Sequence, residues 1–429
     1  MDLRAPHAAI RFGLGRKPGD ALPDDPARWL ITQIEQPDPA LTSSATVAEA
    51  MTALALDRTE PRPPGEPGRA REIFRADARA LINQAIATDT PFRERLVWFW
   101  ANHFTISLRR GIIAPLVGNY VRDAIRPHVT GEFGDMLLAV MRHPAMLLYL
   151  DNVASTGPSS AFGLKQHRGL NENLARECLE LHTCTPAAGY AQADVTEFAR
   201  VLTGWSVGRQ QEPPGFRFRP ALHDPGSKQV LGHIFPDGEQ GGIEALAFLT
   251  AHPMTHRHLA TKLVQHFMAD APPPDAVRTV EGALRDTGGN LGAATLALVR
   301  IPTAWQPLMK LRTPWDYLLA AVRASGLPPD NQPDMLAVMA GLGQPAFNAP
   351  FPIGWPDAAG DWAGPEAMLR RVDWAYGFSG RAQLPDATAL ADTALGPLLS
   401  DATSNELRRA GSRRDAVTLL LGSPEFQRR

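Results

Sequence analysis

The sequence predicts a mostly α protein, a multi-helix globular array with one short inserted β-hairpin. Apolar residues recur at helical spacing along most of the chain. Stretches such as "APPPD" and "SGLPPDNQPD" interrupt that periodicity and divide it into helix-length pieces. One segment, "FRFRPALHDPGSKQVLGHIF", instead alternates apolar and polar residues on both sides of a Pro-Gly turn, as a hairpin does.

In chain order, "DDPARWLITQIEQ" begins a helix with Asp25 as N-cap, Pro26 at the first helical position, and Trp29, Leu30 and Ile34 on one face. "DRTEPRPPGEPGRARE", from Asp57, is rich in Pro, Gly and charge and reads as an exposed connector. Helices are expected at about 71–88, 92–104, 114–125, 133–142 and 145–152. Helical periodicity resumes over 242–300 and 315–342. The loop "GLGQPAFNAPFPIGWPDAAGDW" is too apolar for a flexible linker and is expected to pack on the surface, and short helices finish the chain. This organisation divides the chain into N-terminal helices (1–56), the connector (57–70), a main helical body (71–326, with the hairpin at about 215–235) and a C-terminal helical part (327–429).

With 429 residues, 44% of them hydrophobic, the chain exceeds the length at which a single core usually stops growing, so two lobes are expected. A formal net charge of -2 provides no field to gather nucleic acid or an anionic membrane. The two cysteines, Cys178 and Cys184, exclude a disulfide framework and lack a second pair to complete a zinc site. No membrane-spanning run and no apolar stretch of signal-peptide form occur, so a soluble, cytoplasmic chain is expected.

The chemistry concentrates in "GLNENLARECLELHT", Gly169 to Thr183, which reads as one helix. Leu170, Leu174, Cys178 and Leu181 make its apolar stripe, and Asn173, Arg176, Glu177 and Glu180 make a second, polar one. His182 falls on neither carboxylate's row, so no Glu-x-x-His or HExxH metal pair is present. In a structural reading Arg176 pairs Glu180, Glu177 meets a partner helix, and His182 bonds a backbone carbonyl. In a functional reading, burial and a neighbouring cation tune the same carboxylates.

Elsewhere, "VWFWANHFTIS" puts Asn102 and His103 beyond two tryptophans, where a histidine is more often a satisfied core group than a ligand. Asp151 and Asn152 stand where an apolar helix ends, and Glu197 with Arg200 is an ordinary helix pair. His223, Asp224 and Lys228 are expected at the hairpin tip, which Pro225 and Gly226 would turn unaided, so these three side chains are candidates for function. "HPMTHRHLATKLVQHF" spaces His252 with His256, and His258 with Lys262, one turn apart, but no acid lies within a turn, and no stoichiometric metal is expected.

"RFGLGRKPGD", "WFWANHFTIS", "YLDNVAS", "GLNENLARECLELHT", "GYAQADVTEFARVLTGW", "FRFRPALHDPGSKQVLG" and "GQPAFNAPFPIGWP" fall in the order found in the bacterial family catalogued as domain of unknown function 1800, which the chain resembles over nearly its whole length. The resemblance implies a helical protein without an assigned reaction. It also implies an alkaline-phosphatase-like partner, encoded beside many relatives, and export, since many relatives look secreted. Two departures stand out: no export signal is visible here, and Ala191 replaces a Thr that would cap the following helix.

Two readings of function follow. In an enzyme, Glu177 or Glu180 is the acid or base, His103, His182 or His223 with Asp224 relays protons, and Arg176 or Lys228 clamps an anion beside Asn171, Asn173 and Trp205. That reading requires the tip to fold back onto the helix of Asn171 to Thr183. In an interaction protein the same groups form a buried network, and the hairpin and the "APFPIGWP" loop bind a protein partner. No nucleophile elbow, P-loop or dinucleotide fingerprint is present, and the sequence names no cofactor.

Overall fold

The computed structural model describes residues 3–38, 44–60, 62–63, 65–208 and 214–429. Local signals place most helices. The Asp25 carboxylate accepts from Arg28 N–H at 2.9 Å and opens the helix Pro26–Glu35. Thr46 and Glu49 form a capping box for Val47–Thr59. That helix runs through Asp57, whose carboxylate turns back to accept from Arg69 and Ala70 N–H at 2.8 and 3.0 Å, so it caps the next helix, Arg69–Ala87, where the sequence suggested the start of a connector. Positions 61 and 64 of that connector lie outside the described residues.

Pro91–His103 and Phe133–Arg142 match their expected spans closely. Pro144–Tyr149 stops earlier than expected, because Asp151 adopts a left-handed φ of 58°. The stretch expected as one helix at 114–125 is instead a 3₁₀ turn Gly111–Leu116 carrying Pro115, one α turn Val117–Tyr120 and a π turn Val121–Ile125.

The β structure differs from the expected single hairpin. Among the described residues it comprises two antiparallel hairpins and two isolated bridges. Strand β1 (Trp205–Gly208) pairs with β2 (Gly215–Phe218), and β3 (Lys228–Val230) pairs with β4 (His233–Phe235). Leu231 and Gly232, with φ of 49° and 78°, close the second hairpin as a two-residue turn. This local turn displaces the longer-range pairing of β2 with β3. Residues Pro220–Leu222 form a 3₁₀ turn, and the "HDPG" stretch connects the two hairpins rather than forming a tip, with His223 and Asp224 buried and Pro225 and Gly226 exposed.

Two hydrophobic cores result. The larger gathers Phe12, Leu30, Leu96, Trp100, Tyr120, Leu147, Phe198, Trp205, Leu263 and Phe267. The second gathers Ile10, Leu14, Ile82, Leu318, Leu319, Leu390, Val417 and Phe426 around Pro314–Ser325, a helix buried along its whole length. Trp98 and Phe347 are partly buried against both cores, so the two meet there. Among the described residues, no helix is long and apolar enough to cross a membrane.

Candidate functional site

His223, Asp224 and Lys228 do cluster, but their polar groups are engaged. His223 Nδ1 lies 2.7 Å from the Thr203 carbonyl, which can only accept, so the proton sits on Nδ1 and Nε2 is an acceptor. Nε2 then takes Lys228 Nζ at 2.9 Å and Gly238 N–H at 3.0 Å. Lys228 also donates to the Asp224 carbonyl and reaches Asp237 Oδ1 at 3.3 Å. Asp224 accepts Ser159 N–H at 2.8 Å and Arg200 Nε at 2.6 Å. Burial lowers the pKa of both His223 and Lys228, which suits a neutral imidazole serving as the lysine's acceptor. The cluster locks the chain between β2 and β3 onto the helix Gln192–Val201.

The expected helix of Gly169 to Thr183 begins at Asn173 and passes at Cys178–His182 into a π turn. Arg176 pairs Glu172 at 2.9 Å rather than Glu180. Glu172 also accepts Gln192 Nε2 at 2.9 Å and Thr196 Oγ1 at 2.7 Å, which ties this segment to the helix Gln192–Val201. That helix therefore serves both clusters, Gln192 and Thr196 meeting Glu172 while Arg200 meets Asp224. Among the described residues no hydrogen bond or ion pair joins His223, Asp224 or Lys228 to Asn171–Thr183.

Other candidates in that segment are dispersed. Asn171 Oδ1 accepts from Asn173 N–H at 3.0 Å and starts the helix, and Asn173 itself is exposed. Glu177 is half-buried and Glu180 exposed, and neither has an ion-pair partner among the described residues. Burial, then the charge of Glu180, raises the Glu177 pKa. His182 is fully buried with no partner on either ring nitrogen, and burial with the charge of Lys262 lowers its pKa to about 3. Trp205 is fully buried, and its indole packs so closely on Gly242 that a Cβ there would come within 2.5 Å.

One concave feature of the fold lies where the two cores meet, and a second, of about 480 Å³, is lined by Asp194, Glu197 and Lys228. The first is a cleft of about 550 Å³, within the usual size range of small-molecule sites. The helix Pro91–His103 presents Arg95, Trp98, Phe99, Asn102 and His103 to it, residues that share one helical face. The helix Pro253–Phe267 adds Lys262, Gln265 and His266, again on one face. Trp315 and Asp316 enter from the start of Pro314–Ser325, which Thr313 caps. The opposite wall is the loop 343–358 with Phe347, Phe351, Ile353, Trp355 and Asp357.

That loop is pinned rather than loose. Asn102 holds Trp355 at both ends of its amide, donating to the Trp355 carbonyl at 2.9 Å and accepting its N–H at 2.8 Å. Ser107 donates to the Ala349 carbonyl at 2.7 Å, and Leu108 N–H to that of Phe347 at 2.9 Å. Gly354 has φ of 84° and lies so close to Asn102 that a Cβ would approach its carbonyl to 2.4 Å, so glycine is required there. Trp98 packs on Trp315 and Phe347 with ring centroids 4.4 and 5.7 Å apart.

Around the cleft a network of ion pairs lies beside two groups without one among the described residues, Lys262 and the exposed Asp361. Asp316 joins Arg95 and Arg429, each at 2.9 Å, and Asp357 joins Arg429 at 3.2 Å and Lys310 at 3.3 Å. Lys310 also pairs Asp270, so Arg95, Arg429 and Lys310 are matched by Asp316, Asp357 and Asp270. Burial raises the Asp357 carboxyl, but His266, Arg429 and Lys310 outweigh it and hold the pKa down to about 2. Lys262, half-buried, has no hydrogen bond or ion pair among the described residues. Around it His103, His182 and His258 are held neutral, chiefly by burial and then by the lysine's own charge. His103 Nε2 donates to the His182 carbonyl at 3.2 Å and His258 Nε2 to that of Leu181 at 3.0 Å, while His103 Nδ1 is unpartnered. Among the described residues no group of three or more His, Cys, Asp or Glu is placed to hold a metal ion.

Of the side chains given a role in the enzyme reading, His103 alone lines this cleft, together with Asn102 beside it and the "APFPIGWP" loop that was expected to bind a protein partner. Lys262, Trp98, Phe99, Trp315 and the "APFPIGWP" loop were not assigned to a small-molecule site. The signal for them was present in the shared helical face of Arg95, Trp98, Phe99, Asn102 and His103, and in a Pro/Gly loop too apolar to be a linker.

Cores, hairpins and cleft define a helical protein with a preformed, aromatic-lined, ligand-sized cavity between two cores. The chain belongs to the family described as "Protein of unknown function (DUF1800)", whose model matches residues 7–428. No curated protein and no solved structure gives a significant match.

Proposed function

We propose that the protein binds a compact, largely apolar small molecule in the cleft between its two cores. The observation that carries this is the cavity of about 550 Å³ walled by Trp98, Phe99, Trp315, Phe347, Phe351 and Trp355. A wall of rings held by backbone hydrogen bonds needs little reordering to accept a ligand, which keeps the cost of binding low. The polar groups of the His223 cluster and the Glu172 cluster are largely engaged with one another, whereas the cleft presents an aromatic surface.

The test uses N-phenyl-1-naphthylamine, an uncharged probe that fluoresces in apolar surroundings. Saturable binding to the wild type is expected. Binding should be lost in Ala101→Phe, which places a ring into the cleft from a half-buried helix position, with the melting temperature retained. No saturable binding, or equal binding by Ala101→Phe, would overturn the proposal.

A further inference from the structure

Resting on that reading, we infer that the cleft's ligand carries an anionic group, seated against Lys262. Lys262 projects from the helix Pro253–Phe267 into the cleft wall with no protein group bonded to it. No carboxylate pairs with it directly, and Asp361, an unpaired acid of the same lining, is exposed. The carboxylate within electrostatic reach, Asp357, is already shared by Arg429, His266 and Lys310. The imidazoles of His103, His182 and His258 are neutral. A cation partly withdrawn from water and lacking a partner is costly to maintain, and an anion from outside removes that cost.

The choice of residue points the same way. Lysine is one of five in the chain, against a formal Lys plus Arg total of 43, so this position uses the rarer cation. Lys17 and Lys310 are ion-paired, Lys228 is bonded to His223, and Lys165 is exposed. The ligand class is thus an aromatic or alicyclic body bearing a carboxylate, sulfonate or similar single anionic group.

Two probes that differ by one group test the inference. 8-Anilinonaphthalene-1-sulfonate is N-phenyl-1-naphthylamine with a sulfonate added. Wild-type protein should bind the sulfonate about tenfold or more tighter than the neutral probe, the usual scale of a charge-assisted contact. Lys262→Met should erase that preference and leave the affinity for the neutral probe within about twofold, while Lys262→Arg should retain most of it. Burial lowers the Lys262 pKa below its ordinary value of 10.5, so the preference should fall at a lower pH than for a free lysine, with neutral-probe binding unchanged. If the neutral probe binds but the sulfonate binds no tighter, or its preference survives Lys262→Met, the anion inference is overturned and the cleft reading stands. If the sulfonate binds through Lys262 and the neutral probe does not bind, the apolar-ligand reading falls instead. Binding of neither probe overturns both.

Discussion

Replacing Asp316 by Asn tests the network beneath the cleft. Asp316 is 6% exposed and holds Arg95 and Arg429 at 2.9 Å each, and both guanidinium groups are buried as well. The amide keeps the shape but removes the negative charge, so two buried cations lose their shared partner. Breaking a buried pair from one side costs roughly 3–5 kcal/mol, because the surviving charge has no solvent to return to. The unfolding entropy of about 2.1 cal/mol/K per residue scales, over 429 residues, to about 0.9 kcal/mol/K. For cooperative unfolding the melting temperature should therefore fall by about 3–6 °C, read by calorimetry or circular dichroism at neutral pH. Burial alone would raise the Asp316 pKa, but Arg95 and Arg429 hold it well below the ordinary 3.8. A depressed native pKa means the stabilisation is complete above 3.8 and is lost as the pH falls below it, so the variant and the wild type should converge in acid. A variant melting within about 1 °C of the wild type at neutral pH would refute the reasoning that this carboxylate is what compensates the two arginines.

Two further substitutions address the other sites. Glu177→Gln should leave the melting temperature unchanged or raise it at neutral pH, because Glu177 is half-buried and unpaired and its pKa is raised chiefly by burial. The ionised form is the disfavoured one, so any gain should disappear as the pH drops below the ordinary value of 4.5; a loss on the scale of a broken buried pair, about 3 kcal/mol or more, would show a hidden partner. Gly354→Ala should weaken binding of N-phenyl-1-naphthylamine several-fold at a stability cost of about 1–3 kcal/mol, since a Cβ at φ 84° meets the Asn102 carbonyl at 2.4 Å and must displace the Trp355 clamp. Unchanged probe affinity in a folded variant would remove this loop from the binding surface.

Legibility followed the range of the interaction. Asp25 before Pro26, and Phe133–Arg142 with its apolar face, are short-range patterns, and the helices they predict are present. The hairpins show where such reading ends. The alternation in "FRFRPALHDPGSKQVLGHIF" is compatible with β2 pairing either neighbour, and the outcome rests on Trp205 being buried against Gly242 and on the tighter Leu231-Gly232 turn. Arg176 had a carboxylate one turn away in each direction, and it took Glu172 because Gln192 and Thr196 of another helix fix that carboxylate.

The sequence by itself determined the helical class, the helix caps, the punctuation between elements and the absence of a strong net charge, because each depends on backbone geometry or composition within a few turns. Tertiary structure alone decided the site. Trp98, Lys262, Trp315 and Trp355 belong to separate segments, and each is individually an ordinary helix or loop residue. They meet because two cores pack side by side and the loop 343–358 is pinned across their junction. Whether a lysine is compensated is likewise a property of that assembly. Asp357 reaches Arg429, His266 and Lys310 through contacts spanning up to 91 residues of sequence, as between 266 and 357, while Lys262 has no direct ion pair among the described residues.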